Sequence, residues 1–160
     1  MTDSQISKLL SIDPKTVGRI PFEGQVIPAR IDEVYDGDTV HVIIMLSDFP
    51  LKISVRLVGI DCPEVRKGKG VTDQEKNVGL RIKKYAKRLF KDQQICDIKL
   101  TDKDVYCSRF VGEVYLNDGS SMSQHMLTQG LAKPYKGDKK TPWTEEELDR
   151  IDRRLIRAGY

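Results

Sequence analysis

Between Asp36 and Glu64 two charged clusters are separated by a length of chain that can do little except form two paired strands. Val40-His41-Val42-Ile43-Ile44-Met45-Leu46 is rich in β-branched residues, and Ser47-Asp48-Phe49-Pro50 carries turn chemistry. Leu51-Lys52-Ile53-Ser54-Val55-Arg56-Leu57 then alternates apolar with polar. A reversal near Phe49 and Pro50 returns the second strand past the start of the first, so Asp38 and Asp61 are expected at the same end. In the returning strand Leu51, Ile53, Val55 and Leu57 take the core face, which leaves Lys52, Ser54 and Arg56 on the opposite one.

Two carboxylates brought together repel, and each resists ionisation unless a counter-charge is supplied. A hard divalent cation meets that need. Oxygens from Asp38 and Asp61, with the Thr39 backbone carbonyl as a candidate third, suit calcium or magnesium, and no His/Cys cluster suggests zinc. Each piece has a plainer reading. Asp36-Gly37 is a common hairpin signal, Asp61 ahead of Cys62-Pro63 can open a turn, and an arginine on an outer strand face can simply be solvated. Their joint spacing is what sets them apart.

The pieces Val34-Tyr35-Asp36-Gly37-Asp38-Thr39-Val40, Arg56-Leu57-Val58-Gly59-Ile60-Asp61-Cys62-Pro63-Glu64, Arg109 and Gln129-Gly130-Leu131-Ala132 together resemble the thermonuclease, or staphylococcal nuclease-like, family, in order and in approximate spacing. The resemblance runs from about Ala29 to the C-terminus. It implies that Asp38 and Asp61 bind calcium, in preference to magnesium, with the Thr39 carbonyl. It further implies that Glu64 positions or deprotonates the attacking water, and that Arg56 and Arg109 hold the phosphate. Products with 3′-phosphate and 5′-hydroxyl ends would follow. Around Arg109 the chain departs from the family pattern, with Cys107 and Ser108 where a tyrosine and a glycine are common.

At 160 residues the chain is long enough for one core, and its net charge of +3 matters only where it is concentrated. Ten Lys or Arg stand against Asp73 and Glu75 between Val65 and Lys91. Within that segment Arg66-Lys67-Gly68-Lys69-Gly70 is a basic loop in which Lys67 and Lys69 are candidate substrate contacts; by composition alone it is equally a solubilising loop. Thr72-Asp73-Gln74-Glu75 reads as a capping box opening a helix over 73–90, with Val78, Ile82, Tyr85, Ala86 and Leu89 as its core stripe. The basic residues lie off that stripe, as a solvated face or a nucleic-acid surface. Cys62, Cys96 and Cys107 have no metal-ligand spacing and are expected as free thiols.

Further on, strands are expected over 94–100 and 106–116, the second presenting Arg109 on its outer face. A short capped helix is expected to stop at Gly130, and a last helix from Thr144 carries Leu148, Ile151 and Leu155 as its stripe. In the loop between the last two helices Lys133 and Tyr135 are candidate substrate contacts, the tyrosine as a base-stacking ring or as a packed loop residue. The charge run of the last helix reads as a solvated face. His41 and His125 stand far apart in sequence with no nucleophile constellation around either, which argues against a Ser-His-Asp or Cys-His mechanism.

The expected fold is therefore α+β and mainly β: a five-stranded barrel of the OB type with about three packed helices over residues 25–160, preceded by a partly ordered arm over 1–24. The expected function is a calcium-dependent nuclease acting on DNA, RNA or both. The competing readings are a non-catalytic nucleic-acid-binding or protein-docking module of the same fold, and a structural barrel whose basic helix binds an acidic protein. No membrane partner or obligate protein partner is expected; the chain reads as a monomer, cytoplasmic by default in the absence of a leader or spanning segment.

Overall fold

The structure, a computed structural model, describes residues 2–17, 20–104 and 109–160; the strand start expected at Tyr106, with Cys107 and Ser108, lies outside them. Among the described residues the elements run α1 (Asp3–Leu10), a 3-10 turn (Pro14–Thr16), β1 (Val26–Val34), β2 (Thr39–Leu46), β3 (Phe49–Leu57), β4 (Ile60–Asp61) and α2 (Asp73–Leu89). They continue with β5 (Ile95–Asp104), β6 (Arg109–Val114), α3 (Met122–Thr128), β7 (Lys133–Pro134) and α4 (Glu145–Arg157).

β1, β2, β3, β6 and β5 close in that order into a barrel. Every pairing is antiparallel except β3 with β6, which run parallel through Val55 with Phe110, Arg56 with Val111 and Leu57 with Gly112. This is the five-stranded OB-type barrel expected from the strand order, with α1 added to the three expected helices. Its interior is filled by alternating β-branched and leucine side chains, among them Val40, Val42, Ile44, Val55, Leu57, Ile98 and Leu100, all essentially inaccessible. Val78, Ile82 and Ala86 of α2 and Leu148, Ile151 and Leu155 of α4 extend the same core outward, as the helical spacing requires. Ile20, ahead of β1, is buried in this core as well.

Two local expectations are corrected. The β2–β3 reversal is tighter than the turn read over 47–50: only Ser47 and Asp48 are unpaired, and Pro50 sits inside β3 opposite Met45. Leu51 is exposed, because the outer half of this hairpin projects beyond the barrel and has no layer to cover it. At the other end of β3 the deviation is opposite. Arg56 faces away from the barrel interior, yet is only 7% exposed.

Candidate active site

What buries Arg56 is the short β4 segment that follows it. After Leu57 the chain turns at Gly59, whose φ of 78° suits glycine. β4 then pairs with β7, Ile60 opposite Pro134 and Asp61 opposite Lys133, which folds the returning chain back over β3. The Arg56 guanidinium is enclosed beneath it: Nη1 pairs with Asp38 Oδ1, and Nη2 donates to Asp61 Oδ1 at 3.3 Å and to the Ile60 carbonyl at 3.2 Å. The two carboxylates that hairpin geometry brings to one end thus meet on the guanidinium between them. Asp38, Asp61 and Arg56 are all buried, a setting in which charge is tolerated only when paired and hydrogen-bonded.

Asp38 is fixed from several directions. Its Oδ2 accepts from the Cys62 amide at 2.8 Å, its Oδ1 from the Thr39 hydroxyl at 3.2 Å, and its own amide donates to Asp36 Oδ1 at 3.0 Å. Asp36 is buried too, and burial, followed by the neighbouring Asp38 charge, pushes its carboxyl up to about 7. The Cys62 thiol, packed against the same carboxylates, is pushed well up by burial and then by their charge, so it remains a protonated, unreactive packing group.

Glu64 is less enclosed. Its backbone amide donates to Glu75 Oε1 at 3.3 Å, and its own Oε1 receives Lys140 Nζ at 2.7 Å. Lys140 also reaches Asp61 Oδ1, at 2.8 Å, and the two carboxylates hold its ammonium well above the usual lysine range despite its partial burial. Arg109 enters from β6, with Nη1 3.5 Å from the Thr39 hydroxyl. Tyr135 lies across the other side, its ring 5.5 Å from Arg56 Cζ and its hydroxyl donating to the Asp138 carbonyl at 2.6 Å.

Of the residues singled out in sequence, the structure brings together Asp38, Arg56, Asp61 and Glu64, with Arg109 and Tyr135 at their margins. Lys133 is turned elsewhere: it pairs with Glu147 at 2.7 Å, lies over the Trp143 ring and donates to the Pro142 carbonyl. Lys67 pairs with Asp73 at the start of α2, and Lys69 is exposed on the same loop. The Thr39 carbonyl, expected as a metal ligand, accepts the Tyr35 and Asp36 amides and so is committed to the β1–β2 turn. Lys140 and Asp36 were not anticipated; nothing in local pattern marks a lysine four residues ahead of a helix cap. Glu75 was assigned to a capping box, but only half of that box forms. Thr72 caps the Glu75 amide, while the Glu75 side chain turns to the Glu64 amide instead.

The donor set tests the metal expectation. Among the described residues no three His, Cys, Asp or Glu side chains stand in a ready-made cage. The carboxylates that converge here, Asp38, Asp61 and Glu64, are oxygen donors set against the cations Arg56, Lys140 and Arg109, and Asp36, whose carboxyl is pushed up to about 7, adds no full charge. Asp61 and Glu64 already share one cationic atom, Lys140 Nζ. Donors of this chemistry suit a hard divalent cation and not zinc, and a cation there would compete with Lys140 for them.

Comparison with known proteins bears on the same residues. The staphylococcal nuclease homologue family matches residues 54–155, a span that includes Arg56, Asp61, Glu64 and Arg109. Proteins of Escherichia coli O157:H7 and of Escherichia coli, each named an uncharacterized endonuclease, are 30% identical over 112 residues. That alignment covers 69% of this chain, and this chain spans about 62% of the length of those relatives.

Proposed function

This chain belongs to the staphylococcal nuclease homologue family, and from that premise we propose that it is a calcium-dependent nuclease hydrolysing phosphodiester bonds of DNA, RNA or both. The observation that carries the reading is the continuous chain of ion pairs Asp38–Arg56–Asp61–Lys140–Glu64, assembled from β3, β4 and three connecting loops, with Arg109 one hydroxyl away.

A phosphodiester is anionic, and attack by water adds charge at phosphorus; a catalyst must offset that charge and remove a proton. Arg56 and Arg109 come from the two parallel strands of the barrel, and their guanidinium forks hold the phosphate oxygens. Glu64, the most accessible of the acids, accepts the proton of the attacking water. Tyr135 stacks against the sugar or base beside the scissile bond. Asp38 and Asp61 would hold the calcium, which would supply positive charge to the phosphate and lower the cost of ionising the water. Departure of the 5′ oxygen leaves 3′-phosphate and 5′-hydroxyl ends.

The test is incubation of single-stranded DNA and of RNA with the purified protein, in calcium and in EGTA, followed by end-group analysis. Cleavage that needs calcium and leaves 3′-phosphates is expected. Binding without cleavage in any divalent ion would overturn the proposal in favour of a non-catalytic module.

Lys140 offers a second check. Its ammonium competes with calcium for Asp61, so Lys140→Ala is expected to tighten calcium binding by up to about fivefold, the equivalent of a partly exposed ion pair of about 1 kcal/mol. Calorimetric titration of the nucleic-acid-free protein reads this directly. Weaker binding in the variant would mean that Lys140 organises the carboxylates and does not oppose the ion.

A further inference from the structure

The last helix segregates its charges. Three of its five acids are spent on contacts with the cap or the rest of the protein: Glu147 on Lys133 and the helix cap, Asp149 on Gln74 at 2.6 Å, and Asp152 on Arg81 at 2.9 Å, while Glu145 and Glu146 are exposed in the first turn. Arg150, Arg153, Arg154 and Arg157 take the outward side and, with Glu146, line a depression of about 410 Å³. Among the described residues that line it, Glu146 alone is acidic, and it pairs with Arg150 at 3.3 Å. Arg153 donates to the Asp149 carbonyl and Arg154 to the Gln129 carbonyl, contacts that orient the guanidiniums without neutralising them. Spacings of three and four residues set these like charges side by side, a standing cost to the helix that a bound polyanion would remove.

We propose that this arginine strip is a second nucleic-acid subsite, which holds the phosphate backbone of a strand beyond the scissile bond. Guanidinium forks match phosphate oxygens in shape. From Arg150 to Arg157 the strip is about 10 Å long, enough to face two or three consecutive phosphates. The helix that carries it is tied to the active-site region through its other face, where Glu147 on the first turn grips Lys133, the residue opposite Asp61 in the β4–β7 pair. A membrane is disfavoured because the apolar side of α4, Leu148, Ile151 and Leu155, is consumed by the core.

The inference rests on the nucleic-acid chemistry proposed above, so its test reads binding, in EGTA, where a failure of cleavage has no bearing. The variant replaces Arg150, Arg153 and Arg157 by glutamine and keeps Arg154, which holds Gln129. The probe is a labelled oligothymidylate of about 16 nucleotides, a length at the upper end for one barrel of this kind. Affinity is expected to fall at least about tenfold, and the slope of log affinity against log salt to shrink by about 2. A lysine triple variant should keep the slope while losing part of the affinity. Unfolding midpoints at or above that of the parent show that the helix is intact. Unchanged affinity and slope in the glutamine variant would overturn the subsite. So would a loss confined to phosphatidylserine vesicles, which would make the strip a membrane contact. If the parent cleaves but the variant binds as well as it does, the nuclease stands and the strip falls; if nothing cleaves but the variant loses binding, the reverse holds.

Discussion

Glu64→Gln is expected to lower the turnover of single-stranded DNA by about 10² to 10⁴-fold, the range that a positioned general base contributes, while leaving the fold as it is. The argument turns on what the substitution preserves. An amide fills the same volume, its oxygen can still accept from Lys140, and the Glu64 amide that binds Glu75 is untouched. Nor is the side chain buried, with 43% of it exposed, so no core contact is lost. What disappears is the carboxylate oxygen proposed to accept the proton of the attacking water. The unfolding midpoint and the affinity for oligonucleotide in EGTA should therefore match the parent, and the loss should fall on kcat in single-turnover kinetics. A variant that cleaved at the parental rate would remove Glu64 from the proton-transfer step and leave hydrolysis to another base.

Gly79→Ala should damage both stability and activity, although it replaces glycine by the best helix former. Gly79 sits in the middle of α2, where alanine ordinarily gains about 1 kcal/mol. Here an added Cβ would lie 2.5 Å from the Glu64 carbonyl oxygen and 2.7 Å from that of Pro63. Both are backbone atoms and cannot swing aside, so helix and loop must part. Overpacking of this kind costs about 1–3 kcal/mol, which outweighs the propensity gain. The segment displaced is the one carrying Glu64, and a shift approaching 1 Å there would cost about a hundredfold in rate. Chemical denaturation and cleavage assays on the same preparation read the two effects. Gly68→Ala is the control, because its added Cβ would meet only Val71 Cγ2, at an ordinary 3.9 Å. Parental stability in Gly79→Ala would mean that α2 and the loop are not in contact through backbone at this point.

The barrel and its helices were legible because period-two and period-3.6 patterns are written locally, and the Thr144 capping box and the Thr72 cap announce where α4 and α2 begin. Asp38 and Asp61 were placed together by hairpin geometry alone. What could not be read was what covers what. Alternation along β3 correctly turns Arg56 away from the barrel interior, but its burial comes from β4 and β7, which are two residues each and carry no periodic signal. Leu51 shows the converse, an apolar residue on the inward register of a strand that has outrun its core. Lys140 arrives from a loop 76 residues beyond Glu64, and a tertiary approach of that kind leaves no mark on neighbouring residues. Glu75 was misread for a related reason: capping chemistry offers its carboxylate one local partner, and the packed loop offers another, the Glu64 amide.

The parallel β3–β6 seam joins segments more than fifty residues apart through only three residue pairs, and it has Arg56 on one side and Arg109 near the end of the other. Closing a loop of that length costs chain entropy that three residue pairs alone do not return, so the seam holds only with the rest of the barrel formed around it. The two arginines are therefore in place only once the protein is otherwise whole. A partly opened chain would carry its acids without the two arginines proposed to hold the phosphate, and is expected to lack cleavage activity until the barrel closes.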